Sequence, residues 1–364
     1  MTDFSLNDGS KQTVWSKKYL AAYSRKSPYA KDMKTANAPI RTFSDLSKYE
    51  GDALRTTYFG NLSGSGVSGK TDLEGNEEAL SNYSIEVRAE LLRNGVNIHK
   101  ADQFKTHLEL ANIAGQQLQK WSKNTLTDDI NDALVSVPVK SATAGVPDTT
   151  VAYGSASTAN KNAFNTANAD RLVFAGGQLA SGTMSSDLAT ITATDVMSAA
   201  TLDAAIAKAK ATTSFEITPY GMDESLGREY FIYYCDSLQF AHLRNDETIK
   251  ANMQQAWARD EMTNPLFRGG DLHHNGAIIR EVPSLKPYVS IGAVGATSAE
   301  VTAGFLCGVD TVAIGWAQTP MAVSNDRDYG AKKGVGIEEI RGVKKMSVNG
   351  VQVGMVTVFS ATGN

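Results

Sequence analysis

The sequence predicts an α+β protein, because strand-like and helix-like patterns occupy separate parts of the chain. Three observations carry this prediction. Two runs of alternating polar and apolar residues, within 51–98, predict a long hairpin. Apolar residues at spacings of three and four after Asp102 predict a long helix. Near the C-terminus Asn349-Gly350 lies between valines, a strong β-hairpin signal because both turn positions need a positive φ.

The predicted hairpin has the form of an extended flap. Its first strand is expected at 53–59 and its second at 83–91, where apolar and charged residues fall on opposite faces. Between the strands lies a glycine-rich tip that ends in the acidic stretch 72–78. Two strands with such a tip have too little apolar surface to fold alone, so we expect the flap to lie on another surface.

The tip also matches a phosphate-binding loop, since Gly64–Thr71 reads G-x-x-x-x-G-K-T. Such a loop binds phosphate when a buried strand precedes it and a helix follows it. Here the preceding run alternates, and the nearby carboxylates would repel phosphate. A nucleotide hydrolase that uses Lys70, Thr71 and Asp236 is therefore an alternative function rather than the favoured one.

The composition is that of an ordinary globular chain with two or three compact units. The 364 residues are 42% hydrophobic and carry a net charge of −4, which argues against a dedicated nucleic-acid binder. No run predicts a membrane span and the N-terminus does not resemble a signal peptide, so we expect a cytosolic product. Cys235 and Cys307 lie in apolar runs and are expected to be buried and reduced.

Residues 1–50 form a basic segment with nine basic and five acidic side chains, a local charge of +4. Its aromatic residues, which include Trp15, Tyr19, Tyr23 and Tyr29, are too widely spaced to form a core. The segment is therefore expected to be an arm. It is either a solvated terminus or an arm that docks on another subunit and faces a polyanion.

The middle of the chain predicts one long helix followed by a mixed domain. The helix is expected from Asp102 to Pro138, on the order of 50 Å long, with Phe104 and Leu118 on its apolar stripe. Residues 139–170 are rich in Ala, Ser, Thr and Asn and are expected to form a surface excursion. The remaining expectations are strands at 171–174, 230–234, 277–282, 336–345, 346–353 and 355–359, helices at 202–209 and 236–259, and a buried segment at 305–314.

No group of residues in the sequence has the spacing of a catalytic or metal site. His273 and His274 are adjacent, and no His-x-x-x-His or Cys-x-x-Cys pattern accompanies them. Acid pairs such as Asp128-Asp129 and Glu338-Glu339 are interpreted as solvated. The sequence therefore predicts no enzymatic activity, no catalytic residue, no metal and no cofactor.

Three sequence blocks, in this order, carry a family resemblance. They are Leu62–Gly69 with Leu73–Leu80, then Asn264–Phe267 with Asn275–Val282, then Asp328–Gly330 with Gly334–Ile337, Ile340–Lys345 and Asn349-Gly350. The chain resembles the major capsid proteins of tailed bacteriophages with the Johnson fold, also called the Hong Kong 97 fold. It is most similar to the capsid family of N4-type podoviruses. The resemblance covers most of residues 50–360, without the stretch from about 139 to 200.

The resemblance implies a layout and a set of contacts between subunits. The layout is an N-terminal arm (1–50), an extended loop or E-loop formed by the flap (51–98), a peripheral-domain spine helix (99–137), an axial domain (138–325) with an insertion at about 139–200, and a peripheral-domain C-terminal sheet (326–364). The implied contacts between subunits are Leu62, Lys70, Leu73, Glu74, Glu77 and Glu78 at the tip of the extended loop, and Trp15, Tyr19 and Tyr23 on the arm.

The resemblance also implies a structural function. The chain is expected to form hexamers and pentamers with itself, which close an icosahedral head around double-stranded DNA that they contact non-specifically. Portal, scaffolding and decoration proteins are further expected partners, and no membrane is involved. Assembly is expected in the cytoplasm of the bacterial host, and the product is the virion capsid. The alternatives are the nucleotide hydrolase and another phage structural protein, such as a decoration subunit.

Overall fold

A computed structural model describes residues 27–43, 53–59, 66–70, 72–78, 80–105, 109–143, 146–212, 215–223, 228–256 and 271–363. The strands in these residues are β1 (Met33–Lys34), β2 (Ile40–Phe43), β3 (Ala53–Phe59), β4 (Asn82–Arg88), β5 (Glu90–His99), β6 (Val137–Val139), β7 (Thr149–Val151), β8 (Leu172–Phe174), β9 (Gly221–Asp223), β10 (Arg228–Cys235), β11 (Leu272–His274), β12 (Ala277–Glu281), β13 (Ser290–Ala293), β14 (Glu300–Cys307), β15 (Val312–Arg327), β16 (Lys332–Lys345), β17 (Ser347–Val348), β18 (Val351–Gln352) and β19 (Met355–Ala361). The α-helices are α1 (Lys100–Lys105), α2 (Leu110–Val135), α3 (Thr158–Ala167), α4 (Met184–Leu188), α5 (Ala199–Ala211), α6 (Ser237–Asn245), α7 (Glu247–Ala256) and α8 (Lys286–Val289). None of these helices is long and apolar enough to cross a membrane.

The main core surrounds an eight-stranded sheet with the path β11-β12-β10-β14-β19-β8, in which β13 also pairs with β14 and β9 with β10. Strands β14 and β19 are apolar runs that are buried almost throughout, as expected for a sheet covered on both faces. On one face Phe305 belongs to a cluster with Ile130 of α2. On the other face Tyr233 belongs to a cluster with Leu202 of α5.

A second sheet has five strands in the order β1-β2-β15-β16-β5. Strands β15 and β16 form a long hairpin, whose turn places Asp328, Tyr329 and Gly330 at positive φ. Helix α2 packs on one face of this sheet, where Leu118 and Ile337 are buried together. The edge strand β5 is different, because eight of its ten residues are exposed.

Both predicted hairpins are confirmed. Strands β3 and β4 pair antiparallel from Ala53 opposite Arg88 to Phe59 opposite Asn82. Strands β17 and β18 pair across Asn349 and Gly350, whose φ angles of 53° and 80° are the two positive values that a type I′ turn requires.

Three predicted segments divide differently in the structure. The helix expected at 102–138 is two helices, α1 and α2, and Phe104 is 93% exposed rather than part of an apolar stripe. The helix expected at 236–259 is also two, because the carboxylate of Asp246 accepts a hydrogen bond from the N–H of Thr248 (2.9 Å) and begins a new helix. The segment 305–314 contains a turn, with Asp310 at φ 57°, between β14 and β15.

The stretch 139–170 was expected to be a surface excursion, and most of its described residues are exposed or half-buried, but it has regular elements and buried anchors that were not predicted. It contains β7 and α3, and Phe164, Asn165 and Asn168 are buried. The side chain of Asn168 donates to the carbonyl of Gly350 (2.9 Å) and accepts from the N–H of Gln352 (2.8 Å), so it joins this stretch to the C-terminal hairpin. The expectation for Cys235 and Cys307 is confirmed, since both are buried and free.

Candidate assembly surfaces

The base of the flap, formed by β3 and β4, lies on its own subunit. Ile85 and Val87 of β4 are buried in a cluster with Phe215, and Tyr58 and Tyr83 pack at its margin. The rings of Tyr58 and Tyr83 meet Phe215 edge-on, with centroids 5.8 and 5.6 Å away. The expectation that the flap needs another surface therefore applies only to its tip.

Polar contacts fix the orientation of the flap base on its own subunit. Glu86 accepts hydrogen bonds from Arg88 and Arg55 (2.8 Å each), which lower its carboxyl pKa. The ammonium group of Lys344 donates to the carbonyl of Glu86 (3.0 Å) and so ties β4 to β16. Gly342 allows the close approach, because a Cβ at that position would overlap the carbonyl oxygen of Arg88.

The flap tip, residues 66–81, extends away from this base. Every described residue in it is exposed, and Leu73 and Leu80 are 60% and 59% exposed. The tip has a turn of its own: the N–H of Asn76 donates to the carbonyl of Leu73 (2.9 Å), and the N–H of Gly75 donates to the carboxylate of Glu77 (2.7 Å). One lysine and four acidic residues give it a net charge of −3.

The residues predicted to contact neighbouring subunits have the following positions. Lys70, Leu73, Glu74, Glu77 and Glu78 all lie in the tip and are exposed. Leu62, Trp15, Tyr19 and Tyr23 lie outside the described residues.

Residues 27–43, the described part of the predicted arm, are tied to the core of their own subunit, so the prediction of a solvated or docking arm is wrong for them. Tyr29 is fully buried, where its hydroxyl donates to the side chain of Asn131 in α2 (2.7 Å) and burial raises its pKa well above the usual range. Asp32 is buried as well, and it accepts hydrogen bonds from Tyr234 (2.5 Å) and Arg280. Tyr29 was grouped with aromatics too scattered to form a core, and no local signal separates it from them.

Helix α2 is joined to β16 by a row of buried polar groups. Glu339 accepts from Ser122 (3.2 Å), and Arg341 donates to Glu339 (3.2 Å) and Asp129 (2.5 Å). Burial raises the pKa of Glu339, although Arg341 opposes that shift. The interpretation of Asp128-Asp129 and Glu338-Glu339 as solvated pairs is therefore wrong for Asp129, which pairs with Arg341, and for Glu339, which is fully buried.

The geometry does not support the nucleotide alternative. The strand before Gly64–Thr71 is β3, which pairs antiparallel with β4 in a hairpin whose described tip residues are exposed. Residues 72–78, which follow the motif, form no helix. Asp236 is buried and caps α6, where it accepts from the N–H of Gln239 (2.9 Å). His274 is a buried strand residue whose ring nitrogen is hydrogen-bonded to the carboxylate of Asp203 (3.0 Å). Within the described ranges no three His, Cys, Asp or Glu side chains are grouped to bind a metal.

Comparisons with known proteins identify the family of this chain. The family model described as phage capsid protein matches residues 3–363. This chain belongs to the phage capsid protein family. The major capsid protein of Pseudomonas phage KPP25 is 26% identical over 359 residues, which cover 94% of this chain and 91% of that protein.

Solved capsid structures show the same fold. A chain of the cyanophage Pam1 capsid is 37% identical with a TM-score of 0.86, and the match covers 100% of both chains. A chain of the Ralstonia phage GP4 capsid is 21% identical with a TM-score of 0.69, over 93% of this chain and 92% of that one, which supports the fold alone. The predicted α+β fold class of Hong Kong 97 type is confirmed at the level of the whole chain.

Proposed function

We propose that this chain is the major capsid protein of a tailed bacteriophage, the repeated subunit of its head. The observation that carries the proposal is the family match over residues 3–363, together with a relative from the Pam1 capsid that has the same fold from end to end. The subunit forms hexamers and pentamers, which close an icosahedral shell.

The shape of the subunit supports this function. Its flap tip is exposed at every described residue, yet Leu73 and Leu80 are large apolar side chains. Such side chains are stabilised when a neighbour covers them. A shell of many copies can use interfaces that are each modest, because multivalent contact raises the overall affinity without any single strong site.

The proposed contact residues are those that the family resemblance implies. At the tip of the extended loop they are Leu62, Lys70, Leu73, Glu74, Glu77 and Glu78, and on the arm they are Trp15, Tyr19 and Tyr23. The three-part layout of arm, peripheral domain and axial domain, with the boundaries given above, is part of the same proposal. So is the placement among the N4-type podovirus capsids.

The proposed partners follow from the charge of the arm and from the function. In the basic segment 1–50, the residues before the core-bound stretch 27–43 hold five basic and two acidic side chains, and they contact packaged double-stranded DNA through its phosphates. Portal, scaffolding and decoration proteins join the shell during assembly in the host cytoplasm. The chain acts as a structural protein and not as an enzyme.

Electron microscopy of the purified full-length chain, alone and with its scaffold, tests the proposal. We expect closed shells or rings of five and six subunits. Compact monomers at every concentration, with or without scaffold, would contradict it.

A pair of tip variants separates apolar contact from added charge. Leu73→Asp removes an exposed apolar side chain and adds a carboxylate, whereas Ser68→Asp adds the same charge at another exposed tip position. Both variants should melt like the wild type, because neither side chain is buried. Leu73→Asp should assemble poorly and Ser68→Asp should assemble well. Equal assembly of the two would remove Leu73 from the proposed interface.

A further inference from the structure

The buried side chain of Lys345 has more hydrogen-bond donors than the described residues use. Lys345 is the last residue of β16 and is 2% exposed. Its ammonium group carries three N–H donors. Among the described residues, its hydrogen-bond acceptor is the carbonyl of Ser136 (2.7 Å). Because a buried charge is costly unless it is paired and hydrogen-bonded, this amine needs a further partner to remain charged.

The groups that face Lys345 favour a cation without neutralising it. The carbonyl of Ser136 follows the last turn of α2, where the helix dipole favours a positive charge. The ring of Phe164 has its centroid 5.8 Å from the ammonium nitrogen, a distance at which a cation–π attraction operates. Burial raises the pKa of both Cys307 and Tyr153 to about 12, so these two groups are uncharged near neutral pH. Within the described part of the chain, no carboxylate acts on the amine.

A small cavity lies beside this amine. Its volume is about 20 Å³, enough for one particle about the size of a water molecule. The rings of Phe305 and Phe359 form part of its wall, and Lys345 is the one charged residue in its lining. Tyr153 and Ile291 also line it and are half-buried, so the cavity approaches the surface on their side. The chain therefore places a buried positive charge next to a space for one small particle.

Size and charge together identify the class of ligand. A buried water molecule needs several polar partners, and the walls here are largely apolar. The hydroxyl of Thr357, one of two in the lining, is already bonded to the side chain of Gln352 (3.2 Å). A water would also leave the charge of Lys345 without a counterion. A monovalent anion of similar size supplies an acceptor and the opposite charge in one particle, and the protonated hydroxyl of Tyr153 can donate to it.

We propose that the cavity beside Lys345 binds one monovalent anion of halide size, chloride under ordinary conditions, as the counterion of the buried ammonium group. The cavity lies between the two sheets, because Lys345 belongs to the five-stranded sheet whereas Phe305 and Phe359 belong to the eight-stranded one. The bound anion therefore stabilises the junction of the two sheets within one subunit. This inference goes beyond the proposed capsid function and does not depend on it.

Unfolding of the full-length chain in two sodium salts tests the site. Urea unfolding is measured at pH 6 in sodium chloride and in sodium gluconate at equal ionic strength, since gluconate is too large for the cavity. A ligand that binds only the folded state lowers the unfolding equilibrium constant in proportion to its concentration once that concentration exceeds Kd. In this range each tenfold rise in chloride should lower the constant by roughly tenfold relative to gluconate.

Three variants separate the anion site from a general effect of salt. Lys345→Met removes the charge that holds the anion, and Ala303→Val fills the cavity while keeping the amine. Both should abolish the difference between the two salts. Lys332→Met, at an exposed position of the same strand, should keep it. A wild type that is equally stable in both salts, or a chloride effect that persists in Lys345→Met or in Ala303→Val, would overturn the proposal.

Chlorine NMR of the folded wild type tests binding even if these variants do not fold. The chloride line should broaden in the presence of the protein, and bromide should reverse the broadening whereas gluconate should not. Burial lowers the pKa of Lys345 from 10.5 to about 7, so the amine is largely neutral at pH 9. The broadening should therefore be smaller at pH 9 than at pH 6, and bound chloride should in turn raise the pKa of the amine. Equal broadening at the two pH values, or broadening that bromide does not reverse, would refute the anion site and leave the capsid function standing.

Discussion

The two sheets of this protein are stabilised in different ways. In the eight-stranded sheet, β14 and β19 are apolar and buried, and both faces are covered by the subunit's own helices and loops. In the five-stranded sheet, β16 meets α2 through the buried charges of Glu339, Arg341 and Lys345, and the far end is exposed. The first sheet is complete within one chain. The second has surfaces that a neighbour can complete.

This difference predicts where stability and assembly reside. Substitutions in the eight-stranded sheet should unfold the subunit, whereas those at the exposed end of the five-stranded sheet should leave the subunit folded and impair the shell. Substitutions at the buried charges of β16 should have intermediate effects. These charges stabilise the junction between β16 and α2 only while every partner is present.

The largest loss of stability is expected from Phe305→Ala. Phe305 is 1% exposed in the centre of the core, and truncation should cost about 3–5 kcal/mol through lost burial and a new cavity. Leu73→Ala in the flap tip is the matched control and should cost less than about 0.5 kcal/mol. Urea unfolding followed by circular dichroism measures both. If the two variants unfolded at similar urea concentrations, the eight-stranded sheet would contribute no more to the stability of the subunit than the flap tip does.

The next largest loss is expected from Arg341→Met. Removing the guanidinium leaves Glu339 buried without its ion-pair partner, at a cost of about 3 kcal/mol. Arg93→Met, an exposed arginine on the adjacent strand, should be nearly neutral. The cost of Arg341→Met should be smaller at pH 5 than at pH 8, since burial already raises the pKa of Glu339 and a proton can neutralise it. Equal losses of stability for Arg341→Met and Arg93→Met would show that the buried network does not stabilise the fold.

Sequence patterns predicted the strands and turns of both sheets better than they predicted which sheet a strand joins and which polar residues are buried. Period-two alternation over 83–91 predicted a strand, but it could not show that the chain leaves the flap at Arg88 and enters another sheet at Glu90. The Asn349-Gly350 turn was predictable because its backbone requires positive φ. Asn168 and Glu339 were not predictable as buried residues, because their partners are distant in sequence.

The candidate surfaces show the same limit. The family motifs placed the contact residues in the flap tip, and the structure shows that the described ones are exposed. The far end of the five-stranded sheet joins β5 to the β15–β16 hairpin, which lies more than two hundred residues later in the chain. Only the register of these strands places Gly95 opposite Gly336, so no local pattern could reveal this surface.

Two glycines of the five-stranded sheet sharpen the comparison further. A Cβ at Gly342 would overlap the Arg88 carbonyl, so Gly342→Ala should push the flap base away from β16 and cost about 1–3 kcal/mol. A Cβ at Gly95 would make ordinary contacts with the carbonyl oxygen of Val335 (3.4 Å) and the Cα of Gly336 (3.6 Å), so Gly95→Ala should be much milder. Thermal unfolding compares the two. A milder effect at Gly342 would mean that the flap base does not depend on this close approach.

The smallest effect is a dependence on pH that comes from Lys345. Its ammonium group is buried beside the ring of Phe164 and donates to the carbonyl of Ser136 at the end of α2 (2.7 Å). Burial lowers the pKa of Lys345 from 10.5 to about 7, while the facing thiol of Cys307 has its pKa raised to about 12 by burial. Between pH 7 and 10.5 the unfolded chain therefore holds a proton at Lys345 that the folded chain has released.

Because the unfolded state binds more protons in that window, the free energy of unfolding should rise with pH through Lys345. From pH 7 to 8.5 the wild type should gain about 1–2 kcal/mol relative to Lys345→Met, and below pH 7 the difference should level off. Lys332→Met, at an exposed position of the same strand, separates the burial of Lys345 from the mere loss of a lysine. If Lys345→Met shows the same pH profile as the wild type, then the amine is not buried as a titrating group. In that case the contrast between an apolar sheet and a charged one would rest on Glu339 and Arg341 alone.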